Sequence, residues 1–111
     1  KLVLVRDNSG NIITNIVEGS AKDINLRITS TDYIENLIKG NTFYISFSNL
    51  QTNDISLDVL NSMGNRVAFK NKLVNQRTPQ KIDIPNLVTG VYYIKIYANN
   101  KVYVQRVFIT N

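Results

Sequence analysis

The sequence has no cysteine, no histidine and no tryptophan, and only two prolines and one methionine among its 111 residues. Lacking cysteine, it has no disulfide, no thiolate nucleophile and no cysteine-based zinc site. Lacking histidine, it is without the usual general base and the commonest metal ligand. Carboxylates are few, six Asp and two Glu, and strand alternation sets no two of them face to face as an acid/base pair. The five glycines stand apart, so there is no phosphate-cradling loop. Ser–Lys catalysis has no supporting motif. The longest apolar runs, such as residues 2–5, fall far short of the roughly 20 residues that span a bilayer, so the chain is not expected to cross a membrane. No charged leader and cleavage site precede them, which reads as a mature or excised segment. These absences point away from an enzyme, and no cofactor is expected.

What is abundant is β-branched: 14 Ile, 11 Val and 8 Thr against 3 Ala. Such side chains fit a pleated, half-buried surface better than a helix. Asparagine is also plentiful, with 16 copies, many at turn-like positions. A chain of this length is expected to form one domain, residues 1–111, with a real core. The net charge of +5 comes entirely from residues 51–111; residues 1–50 are balanced. A basic half can attract nucleic acid or anionic glycolipid, but it also describes a solvated strand face, and no nucleic-acid partner is expected.

Short period-two bursts separated by turn residues predict an all-β, immunoglobulin-like antiparallel sandwich of about seven to nine strands. Residues 2–5 and 12–17 flank a turn at residues 7–11 and read as a hairpin. Ile24, Leu26 and Ile28 alternate with polar neighbours, as do Phe43, Ile45 and Phe47, and Ile55, Leu57 and Val59. The strand over residues 55–60 turns at Gly64 and returns over residues 67–69. A short run at Ile82 and Ile84 ends at Pro85. Residues 91–98 and 101–109 make the two longest strands, joined at Asn99 and Asn100. Residues 32–40, with a cap at Asp32, an apolar stripe and a closing Gly40, suggest one short helix, and equally fit an irregular crossover between sheets. Val102 and Val104 share one phase and Val107 and Ile109 the other, which predicts a bulge near Gln105 and Arg106.

Two ligand patterns merit testing. Asp7, Ser9, Asn11, Asn15 and Glu18 have the spacing of calcium-loop oxygens, but Ile12 stands where that loop needs glycine, and a tight hairpin explains them without a metal. If Tyr92, Ile94 and Ile96 face the core, Tyr93, Lys95 and Tyr97 point outward, with Tyr103 on the neighbouring strand. Outward tyrosines could stack a sugar or a base while Lys95 and Lys101 hold a phosphate. The plainer account is a cross-strand aromatic pair contributing about 0.2–1 kcal/mol.

The second half carries a more specific pattern. It runs Ile55-Ser56-Leu57-Asp58-Val59-Leu60, then Met63-Gly64-Asn65-Arg66-Val67, then Ile82-Asp83-Ile84-Pro85-Asn86-Leu87. Thr89-Gly90-Val91-Tyr92-Tyr93-Ile94-Lys95-Ile96 follows, and Lys101-Val102-Tyr103-Val104-Gln105-Arg106-Val107-Phe108-Ile109 closes it. Over residues 41–111 this resembles the C-terminal sorting domain of the type IX secretion system. The family's recurrent positions fall on Gly64, Leu87, Gly90, Val91, Tyr92, Lys101 and Arg106. The family's Pro-Asn-Pro opening is missing before Phe43, and no terminal lysine follows Ile109.

Gly64 and Gly90 are expected at positive φ, where a strand turns back. Tyr92 is expected to bury its ring and keep its hydroxyl at the rim. The last hairpin is expected at a sheet edge, open to pairing with another chain.

The resemblance implies a sorting signal that takes its parent protein through the periplasm and the outer-membrane translocon to the surface or the medium. Its partners would be the type IX machinery (translocon, shuttle or sortase), with anionic lipopolysaccharide attached to the parent after cleavage. The recognition set is expected to be Gly90, Val91, Tyr92, Tyr93, Lys95, Tyr97, Lys101, Tyr103 and Arg106. Two alternatives stay open: a retained domain that binds a partner of the secretion or signalling apparatus, and a carbohydrate-binding or adhesive module.

Overall fold

The computed structural model describes residues 17–111, together with the backbone of residues 5–6 and 12–13. The strands are β1 (Val5–Arg6), β2 (Ile12–Ile13), β3 (Val17–Gly19), β4 (Arg27–Thr29), β5 (Leu37–Lys39) and β6 (Thr42–Ser46). They continue with β7 (Ile55–Asn61), β8 (Arg66–Lys70), β9 (Gln80–Asp83), β10 (Gly90–Ala98) and β11 (Lys101–Thr110). One 3-10 turn, Ala21–Ile24, interrupts them. β1 and β2 pair as the expected antiparallel hairpin, while the turn at residues 7–11 and the calcium-loop positions Asp7, Ser9, Asn11 and Asn15 lie outside the described residues.

Strict alternation builds the long strands. Ile55, Leu57 and Val59 of β7, Phe43 and Ile45 of β6, and Ile94 and Ile96 of β10 are all fully buried, while their neighbours face outward. The main sheet runs β4-β6-β5-β11-β10-β7-β8, with β3 also on β11 and β9 also on β6. β5 touches β6 through the single pair Lys39 and Thr42. One continuous core draws side chains from both ends of this path, so the sheet folds over on itself as a sandwich. The all-β expectation holds. The sheet is mixed, however, because β3 and β5 both run parallel to β11.

The expected helix at residues 32–40 is absent. Tyr33 (φ 65°) and Asn36 (φ 59°) are both left-handed, which no α-helix accommodates. The fully buried Ser30 organises a turn instead, its hydroxyl accepting the N–H groups of Asp32 (3.2 Å) and Ile34 (3.1 Å). Residues 37–39 become β5, and Gly40 (φ 72°) makes the tight turn into β6. Ile24 belongs to the 3-10 turn, not to a strand, yet it is buried as its apolar phase requires. The expected bulge near Gln105 and Arg106 is also absent: β10 and β11 pair without a break from Gly90 with Ile109 to Ala98 with Lys101. Val102 and Val104 differ from Val107 and Ile109 in face through plain alternation. The irregular register lies at Val59 and Leu60, opposite β8.

Candidate functional site

The last hairpin lies in the middle of the sheet and not at its edge. β11 is flanked by β10 along its whole length and, on its other side, by β3 at Lys101–Tyr103 and β5 at Phe108–Thr110. The expectation failed because the two parallel partners come from residues 17–19 and 37–39, far away in sequence. Between them, Val104 to Val107 have no strand partner on that side among the described residues. A cavity of 330 Å³ opens there, lined by Asn36, Val91, Gln105, Arg106, Val107 and Phe108. The Gln105 side-chain amide donates to the Arg106 carbonyl at 3.1 Å.

Register divides the expected recognition residues. Tyr93, Lys95 and Tyr97 occupy the outward face of β10, half-buried, with Arg106 exposed beside Tyr93 on β11. Val91 continues that face opposite Phe108, whose ring is 43% exposed. Tyr92 and Tyr103 point into the core. Tyr103 thus leaves the outward set, its ring packed so closely over Gly19 that a Cβ there would collide with it. Burial and the nearby Asp23 raise the pKa of the Tyr103 phenol. Lys95 and Lys101 do not form a pair: Lys95 sits opposite Val104, whereas Lys101 sits opposite Ala98 at the hairpin end, in the inward phase.

Two turn assignments stand and one changes. Gly64 has φ 86° and closes the β7–β8 turn, where the Asn61 side chain accepts the N–H groups of Met63 and Asn65, each at 3.0 Å. Asn99 (φ 56°) and Asn100 form the two-residue turn between β10 and β11. Gly90, by contrast, is not at positive φ; it opens β10 with nothing within 4 Å of where a Cβ would stand. The reversal expected of Gly90 is absent because the chain enters β10 already extended and pairs at once with Ile109. Tyr92 behaves as expected, with ring buried and hydroxyl donating to the Val88 carbonyl four residues upstream at 2.6 Å.

Sequence reasoning overlooked the polar centre of this face. The Tyr97 hydroxyl donates to Asp58 Oδ2 at 3.1 Å, and Arg66 Nη1 lies 3.7 Å from Asp58 Oδ1. Burial pushes the Asp58 carboxyl up from its ordinary value, while Tyr97, Arg66 and Lys95 pull it back. Burial, together with the charge and hydrogen bond of Asp58, holds the Tyr97 phenol well above its ordinary value. Arg66 also lies 4.8 Å over the Phe69 ring. Alternation within β7 already turned Asp58 outward; its neighbours across the sheet were the hidden part. Among the described residues no group of metal-ligating side chains gathers, and no helix is long and apolar enough to cross a membrane.

Residues 39–110 match the model of the secretion system C-terminal sorting domain family, and the chain belongs to that family. It is a family of type IX sorting signals and not of catalysts, whose members mark proteins for export through the outer membrane by the secretion machinery. Among solved structures, the sulfur carrier protein SoxY from Chlorobium limicola f thiosulfatophilum is similar at 14% identity over 86% of each chain, with a TM-score of 0.47. No curated protein matches the chain.

Proposed function

We propose that this domain is read by the type IX machinery through the outward face of the β10–β11 hairpin, where Tyr93, Lys95, Tyr97 and Arg106 stand together. The parent protein is thereby handed from the periplasm to the outer-membrane translocon. The observation that carries this reading is the register of β10 on β11, which gathers aromatic and basic side chains on one solvent-facing sheet surface. Because the hairpin is central and not an edge, the docking is face-on, through side chains and not through added backbone pairing.

The test is a secretion assay. Residues 1–111 are fused behind an exported fluorescent reporter, in cells with a working type IX system and in a translocon mutant. The expected result is release only from the working strain, and loss of release for a variant carrying Tyr93→Ser, Lys95→Glu and Arg106→Glu that still folds. Equal release by that variant would refute the assignment of the face. Retention of the intact fusion in both strains would refute the sorting role itself and leave a partner-binding module.

A further inference from the structure

The sheet does have open edges among the described strands, and β8 ends one side of it. β8 pairs with β7 on one side only, and no described strand pairs with the other. Arg66, Phe69 and Lys70 are exposed, as are Asn71 and Lys72 beyond them, so nothing described covers this flank. An edge strand offers a row of N–H and C=O groups to any chain that lies down beside it.

The charge of the molecule is concentrated in the same stretch. From Asp58 to Asp83 the intervening residues include five bases (Arg66, Lys70, Lys72, Arg77 and Lys81) and no acid. That equals the whole +5 of the chain, so the remaining residues balance. Asp58, across from Phe69, is occupied with Tyr97 and Arg66 and leaves Lys70 and Lys72 uncompensated by its charge. Phe69 adds a ring that is 46% exposed.

We infer that the β8 edge accepts an acidic, extended segment of a partner protein as an added strand, aligned on Ala68 to Lys70, with Lys70 and Lys72 reading its carboxylates and Phe69 its apolar side chains. A second copy of this edge is a poor occupant, since like charges would oppose each other across the new pair. The bulge at the Arg66 end limits the regular ladder to the Lys70 end, nearest the two lysines. This inference stands apart from the sorting role: a domain that failed to direct export would still present this edge.

The full chain, labelled with nitrogen-15, is titrated with a short peptide of alternating glutamate and valine. One control alternates lysine and valine; another keeps the glutamates but carries N-methyl groups on alternate amides, which removes its ladder hydrogen bonds. The expected result is saturable binding of the first peptide, with shift changes and slowed amide exchange confined to residues 66–72 and loosening as salt is raised. The N-methylated peptide should bind far more weakly, and Lys70→Glu with Lys72→Glu should weaken the first by about tenfold or more. Equal binding of the N-methylated peptide would reduce the edge to a charge patch and overturn strand addition. No binding at low salt, or shift changes centred on another part of the sheet, would overturn it as well.

Discussion

At the scale of single residues, glycine is used here in three different ways. Gly64 supplies a left-handed turn that an L side chain enters only at a cost, so Gly64→Ala should lower stability by about 1–2 kcal/mol. Gly90 is extended with open space around it, so Gly90→Ala should be neutral or gain up to about 1 kcal/mol by stiffening the unfolded chain. Urea denaturation of the two variants side by side checks the contrast. Gly19 exists for contact: Tyr103 fills the space a methyl group would need, and Gly19→Ala should cost about 1–3 kcal/mol in the same assay. The Asp58 carboxyl has a further signature. Its pKa is raised in the folded state, so the native form favours the proton. The contribution is fully present below the ordinary value of 3.8 and is lost as pH rises through the folded value. Asp58→Asn should therefore gain on the wild-type chain as pH rises across that window, which denaturation midpoints at stepped pH will show.

At the scale of elements, hairpins were the legible part. The β10–β11 pair, its Asn99–Asn100 turn and the β7–β8 pair follow from period-two alternation and turn residues that act within a few positions. The segment before β6 misled for a local reason. Ile34, Leu37 and Ile38 have helical spacing, but only Ile38 is buried; Ser30 holds the turn at Asp32 to Ile34 through its hydroxyl and carbonyl, and the Asn36 N–H donates to the Ile28 carbonyl at 2.7 Å. The outward face was half legible: alternation gave Tyr93, Lys95 and Tyr97, whereas Tyr103 fell in the opposite phase once register was fixed. Asp58 as the partner of Tyr97 depends on a strand far off in sequence, which periodicity does not reveal. Tyr97→Phe removes the hydrogen bond to that carboxylate and should cost about 1.5–3 kcal/mol, read from thermal unfolding at neutral pH.

For the whole molecule, the central place of β11 decides what truncation means. Val102, Tyr103, Val107 and Ile109 are all buried, each worth about 1.5–3 kcal/mol, against a typical total stability of about 5–15 kcal/mol. Removal of residues 101–111 should abolish cooperative folding, seen as collapse of amide dispersion in a nitrogen-15 spectrum. A failure of export after that deletion would therefore report an unfolded domain as readily as a missing signal, and face-directed substitutions are the cleaner probe. The same arrangement puts the domain on a schedule. Leaving a ribosome or a narrow channel amino end first, the chain delivers β3 and β5 long before the strand they dock against. Their lanes open only when residues 101–110 arrive, so the sheet cannot close early. Completion of the fold is timed by the strand that arrives last of those it joins, and a probe of folding order should find the lanes of β3 and β5 on β11 among the last to be protected.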